Sequence, residues 1–204
     1  MIPAPVFRIG SVEEALRDEF RNLSLARQEF PILTDWGVED FSETVHSMGI
    51  NYLTQMGGQL GFIGTSEYPV RLRDPRVVSG SAQRWVVPDS VWWDRASRRA
   101  VFACEFERYA PGGGKRQDLQ SKVRNLLLAH RELGAGPRLL LLMLWTVSGV
   151  PVEDTAELTS LIRNGFSFTN GANVAGLEPD SRFLLVSAVF ASHQGKVRLK
   201  EVLL

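Results

Sequence analysis

Three acids carry the chemical interest of this sequence. The stretch "PDSVWWDRASRRAVFACEFER", residues 88–108, sets Asp89 ahead of one apolar run and Glu105 and Glu107 at the end of another. Side chains alternate along a strand, so Val101, Ala103, Glu105 and Glu107 share one face, with the two glutamates about 7 Å apart. Phe102, Cys104 and Phe106 then point the other way. A turn centred near Ser97 brings Asp89 opposite Glu105, with Cβ atoms roughly 5 Å apart. Like charges held that close raise one another's pKa, and burying them unpaired is costly. A hard divalent cation removes the conflict. Asp89, Glu105, water and the backbone carbonyl of Phe106 form an oxygen set suited to Mg²⁺ or Mn²⁺. A metal so held polarises a phosphate and lowers the pKa of water. The competing reading is a solvated sheet face bridged to arginine, with Arg84, Arg98 and Arg99 near enough to serve.

The elements that must position these acids follow from periodicity. Ser11 and Glu14 fit a capping box, and Val12, Leu16, Leu23, Ala26 and Phe30 predict a helix over 11–30, stopped by Pro31. Val38, Phe41, Val45, Met48, Tyr52 and Met56 predict a second helix from Val38 to Gly57-Gly58. A strand within 60–68, a basic loop over 69–83, strands at 84–94 and 99–107, and a helix over 117–133 capped by Gly134 come next. The run "RLLLLMLW", residues 138–145, reads as a buried central strand. A helix near 152–164 and strands at 183–191 and 197–203 complete the chain. The order helix, strand, strand, strand, helix, strand over 38–145 predicts an α/β fold with a mixed (α+β) sheet. Residues 1–204 read as a single domain, with a helical extension at 1–35 and a helix-and-strand elaboration at 146–204.

Pro88-Asp89 and Glu105-Phe106-Glu107, set in that order of elements, resemble the PD-(D/E)xK nuclease superfamily over residues 38–145. The resemblance implies a restriction-endonuclease-like core and a Mg-dependent hydrolase of DNA phosphodiester bonds, with Asp89 and Glu105 as metal ligands. The usual pattern has a lysine two residues after the second acid, where this chain has Glu107. By resemblance to E-x-E members, Glu107 takes the lysine's place, holding the attacking water or a second metal. Lys122 is the other candidate, because some members recruit a basic residue from the next helix. It lies at i+3 from Leu119 and i−4 from Leu126, at the edge of the inner face. The superfamily's further acid on the first helix corresponds to Glu39 or Glu43, with Glu67 an equal candidate. The alternative is a catalytically inactive nuclease-fold module, a nucleic-acid-binding or structural subunit of a larger defence or mobile-element complex.

Composition narrows the partners. The 204 residues are 44% hydrophobic and 23% charged, with formal net charge zero. No overall basic field draws the chain to nucleic acid, so DNA binding must rest on local patches. Arg108, Lys115, Arg116, Lys122 and Arg124 stand against Asp118 alone, and Arg71, Arg73 and Arg76 form a second wall. Gly112-Gly113-Gly114 lets the backbone approach a phosphate, though "GGGKR" lacks the spacing of a nucleoside-triphosphate loop. Cys104 is the single cysteine, which excludes internal disulfides. The first residues lack a signal-peptide core and 138–145 is too short to span a bilayer, so a cytoplasmic protein without a membrane partner is expected. His46, His130 and His193 are scattered without zinc-ligand spacing. Of Trp92 and Trp93, on opposite faces of one strand, one belongs to the core. The helix over 11–30 is the candidate docking element for a homodimer or partner subunit.

Overall fold

The computed structural model describes residues 9–109, 115–147, 149 and 155–204, and for 115–118 the backbone alone. The expectations for Gly112, Gly113 and Gly114 and for the side chains of Lys115 and Arg116 therefore lie outside the described residues. In chain order the elements are α1 (Ile9–Asn22), α2 (Ser24–Glu29), a π-helical turn at Ile32–Trp36, β1 (Val38–Glu39), α3 (Ser42–Gln59), β2 (Ile63–Ser66), β3 (Val70–Arg71), α4 (Pro75–Ser81), β4 (Trp85–Val86) and β5 (Ser90–Trp93). Then come β6 (Ala100–Arg108), α5 (Lys115–Glu132), β7 (Leu139–Val147), α6 (Thr155–Asn164), β8 (Phe166–Ser167), β9 (Asn173–Val174), β10 (Arg182–His193) and β11 (Lys196–Leu203). Among the described residues, seven strands form one mixed sheet in the order β1-β11-β10-β7-β6-β5-β2. Its centre, β6, β7 and β10, is parallel, and the pairs outside it are antiparallel.

The central strands are apolar because both sheet faces are covered. β7 is buried from Leu139 to Thr146. One face packs Trp92, Phe102, Phe106, Met143 and Trp145 against α1, α2 and α3. The other packs Ala103, Leu140, Leu142 and Leu144 against Leu126 and Leu127 of α5 and Leu158 and Ile162 of α6. Two glycines bring α3 close to the sheet. A Cβ at Gly49 would overlap the Phe106 ring, and one at Gly57 the Trp92 indole. Trp92 is the core tryptophan, stacked between Phe62 and Phe102. Trp93 is half-buried at the strand's other face, edge-on to Tyr68.

Several expectations change. The 11–30 helix breaks at Leu23, whose φ is 52°, although Val12, Leu16, Leu23, Ala26 and Phe30 are all buried. The break is held by the Glu19 carboxylate, which accepts the N–H groups of Leu25 (2.8 Å) and Ala26 (3.0 Å) and the Tyr52 hydroxyl (2.8 Å). Ser11 lies inside α1 rather than capping it, since the helix already runs at Ile9. Val38 starts no helix. It pairs with Val197 in the sheet, and Phe41 is 64% exposed. The basic loop is structured: it holds β3 and then α4, capped by Asp74 with Pro75 at the first helical position. A bulge at Trp92/Trp93 turns Val101 to the face of Phe102, away from Ala103. Gly134, at φ +73°, ends α5 as expected, with the Ala135 N–H bonded to the His130 carbonyl at 2.9 Å. Among the described residues no helix is long and apolar enough to cross a membrane.

Gly49 generates a stability test. Gly49→Ala forces Phe106 aside in a filled core and is expected to cost about 1–3 kcal/mol. Chemical denaturation of the variant beside wild type reads this directly, and equal midpoints would show that α3 can give way.

Candidate active site

The hairpin register is the one the turn near Ser97 requires. Ser90 faces Cys104, and the Asp89 N–H donates to the Cys104 carbonyl at 3.0 Å, so Asp89 leads into β5 opposite Glu105. Asp89, Glu105 and Glu107 thus gather at the carboxyl end of β6, Glu105 beside Ala103 on the face that α5 covers. Asp89 is 6% exposed and Glu105 1%. Asp89 and Glu105 are not a solvated face, and among the described residues no arginine bridges Glu105 or Glu107. Their partner is Lys122, one helical turn beyond Leu119 on α5. Its Nζ lies 3.1 Å from Glu105 Oε2 and 3.0 Å from Glu107 Oε2. One cation from the following helix thus meets both glutamates.

Asp89 is held differently. Its Oδ2 accepts the Phe106 N–H at 2.7 Å and lies 3.3 Å from His46 Nε2. The Phe106 N–H reaches Asp89 just past the last β5–β6 pair, Ser90 with Cys104. Among the described residues no group of three or more His, Cys, Asp and Glu is arranged to hold a metal ion. Within the cluster Asp89 is paired with His46, and Glu105 and Glu107 share Lys122.

These groups perturb one another's ionisation. Burial, then the neighbouring Asp89 charge, raises the Glu105 carboxyl to about 8, and Lys122 only partly offsets them. Burial alone would lower the Lys122 ammonium, but Glu105, Asp89 and Glu107 outweigh it and hold the amine charged. His46 is raised by its hydrogen bond to Asp89, against the opposing effect of burial. Glu105 is the outlier in satisfaction as well. Neither carboxylate oxygen has a partner with hydrogen-bond geometry among the described residues, although Lys122 lies within ion-pair distance. The distance, not the angle, carries the electrostatics, so the pair is real but incompletely satisfied.

The remaining expected residues divide. Arg108 lies over the Trp145 ring at 4.8 Å and 3.4 Å from Asp40 Oδ1. Arg124 lies over Phe166 at 5.3 Å. Both cations are therefore engaged with this chain. Arg73 is exposed, and its backbone N–H meets Glu132. Glu39, Glu43 and Glu67 are exposed, and the Glu67 N–H donates to the Asp89 carbonyl at 2.9 Å. Cys104 is buried on the face away from the acids, and burial pushes its thiol up. His46 is the residue that sequence reasoning missed. The available signal was its place next to Val45 and one turn before Gly49, on the helix pressed against Phe106. No family model, curated protein or solved structure matches the chain.

Glu105 gives a signed pH test. Its carboxyl moves from 4.5 to about 8 on folding, so the protonated form stabilises the fold fully below pH 4.5 and that contribution is lost as pH rises through about 8. Glu105→Gln keeps the shape and cannot ionise. Its melting temperature is expected to gain on wild type from pH 5 to about pH 8 and then to level off. A constant difference across that range contradicts the burial argument.

Proposed function

We propose that this chain is a metal-dependent nuclease that hydrolyses phosphodiester bonds of DNA, built on a restriction-endonuclease-like core. The observation that carries the reading is Glu105: a carboxyl group at 1% exposure, with no well-aligned hydrogen-bond partner on either oxygen among the described residues, beside a lysine from the next helix. A purely structural acid in this position would be better satisfied or replaced by an apolar residue. The order α3-β2-β5-β6-α5-β7 supports the resemblance stated from the sequence, and Lys122 supplies the lysine whose absence from the strand weakened it.

The donor set fits a hard divalent cation: Asp89 and Glu105 would hold it with the Phe106 carbonyl, and the unpartnered Glu105 oxygens are the atoms it would satisfy. When bound, Mg²⁺ or Mn²⁺ polarises the phosphate and lowers the pKa of water. The chain's own groups do the rest. The Phe106 N–H and His46 orient Asp89. Glu105 must give up its proton to act as a ligand, which couples metal affinity to pH. Lys122 stays charged and offsets negative charge at the phosphate, while Glu107 holds its ammonium in place.

One observation favours a second reading, a nuclease-fold module without catalysis: the Lys122 ammonium already lies within ion-pair distance of both glutamates. A plasmid-nicking assay in Mg²⁺ separates the two. Wild type is expected to cut, Glu105→Ala to abolish cutting, and Lys122→Ala to slow it about a hundredfold. A folded wild-type protein that leaves the plasmid intact selects the non-catalytic module, and undiminished cutting by Glu105→Ala misplaces the site.

A further inference from the structure

Between β2 and β5 the chain builds an arm. The β2–β5 pairing places Ser66 opposite Ser90, and the β3–β4 pairing, Val70 with Val86 and Arg71 with Trp85, continues the same register across a bend. Residues 63–93 are thus one long bent hairpin with α4 at its tip and Asp89 at its base. Its inner face is apolar: Val70, Leu72, Val77 and Val86 are buried in the cluster that includes Leu126 and Leu127 of α5. Its outer face has a different composition. Trp85 is 49% exposed and Val87 43%, with Arg71 and Arg73 alongside on the opposing strand. The Arg71 guanidinium lies 5.9 Å from the centre of the Trp85 ring.

The geometry points to this outer face as a binding site for single-stranded DNA that feeds the strand toward Asp89, a substrate-class assignment that rests on the nuclease reading. Three features argue for it. An exposed indole offers a π-face to an unstacked base, which duplex DNA, with its bases already stacked, does not present. The charge is complementary to a phosphate backbone. Residues 67–87 hold Arg71, Arg73, Arg76 and Arg84 against Glu67 and Asp74, and Asp74 is already taken by Arg131 at 2.8 Å and by the Arg76 N–H. The face is also continuous with the site. Trp85 precedes Asp89 by four residues, about 13 Å of extended chain. This arm compensates locally for a chain without net positive charge.

Fluorescence anisotropy of a labelled oligothymidine, with EDTA present, tests binding apart from cutting. Wild type is expected to bind, and Trp85→Ala to weaken binding about tenfold while leaving a labelled duplex unaffected. The double variant Arg71→Ala, Arg73→Ala should make the salt dependence shallower by about 1.4 in log–log slope. Both changes lie on an exposed face, and an unchanged melting temperature will show that the variants are folded. Equal oligothymidine binding by wild type and Trp85→Ala overturns the assignment, as it would if Trp85 docks another protein instead. Equal losses on duplex and single strand also overturn it. Intact binding without cleavage leaves the arm standing and removes the nuclease reading, so the two fail separately.

Discussion

A carboxyl group buried at the end of an apolar strand is the constraint around which this site is arranged. Glu105 sits in β6 between buried neighbours, where an unpaired charge is strongly disfavoured. The chain meets that cost in two ways. The carboxyl retains its proton up to about pH 8, and Lys122 is drawn against it. For the second, α5 must lie over β6 in one position, which the packing of Leu126 and Leu127 on Leu140 and Leu142 provides. On the other face, Gly49 lets α3 approach Phe106, which carries the N–H that fixes Asp89. The cores on the two sides of the sheet therefore position the two halves of one site.

The consequence is a cluster with its charges partly balanced. Glu107, half-exposed, shares the lysine with Glu105 but is not buried as deeply. Asp89 is anchored by a backbone donor and a histidine. Of the three acids, Glu105 is the one whose buried oxygens lack a well-aligned hydrogen-bond partner among the described residues. The arm extending from β5 adds a surface of arginine and exposed tryptophan that leads to the same aspartate.

Local features were legible in the sequence, and those set by distant partners were not. The turn near Ser97 fixed the pairing of Ser90 with Cys104, hence Asp89 opposite Glu105, because hairpin register depends on nearby residues. The helix carrying Lys122 was readable from Leu119, Val123, Leu126 and Leu127, all buried. Val38 was misread as helical because its partner, Val197, lies at the far end of the chain. The break at Leu23 depends on Glu19 folding back and on Tyr52 from another helix. His46 has no ligand spacing because its function is defined by Asp89, on a strand that only the fold brings near. The "basic loop" hid an arm because its two strands are each two residues long, below what alternation can signal.

The central claim is that the unsatisfied Glu105 carboxyl group is a cation ligand. Calorimetric titration of Mn²⁺ into wild type and into Glu105→Gln at pH 8 measures this without reference to any substrate. The account predicts a saturable binding heat in wild type that disappears in Glu105→Gln. Equal heats in the two proteins, or none in either, would contradict it.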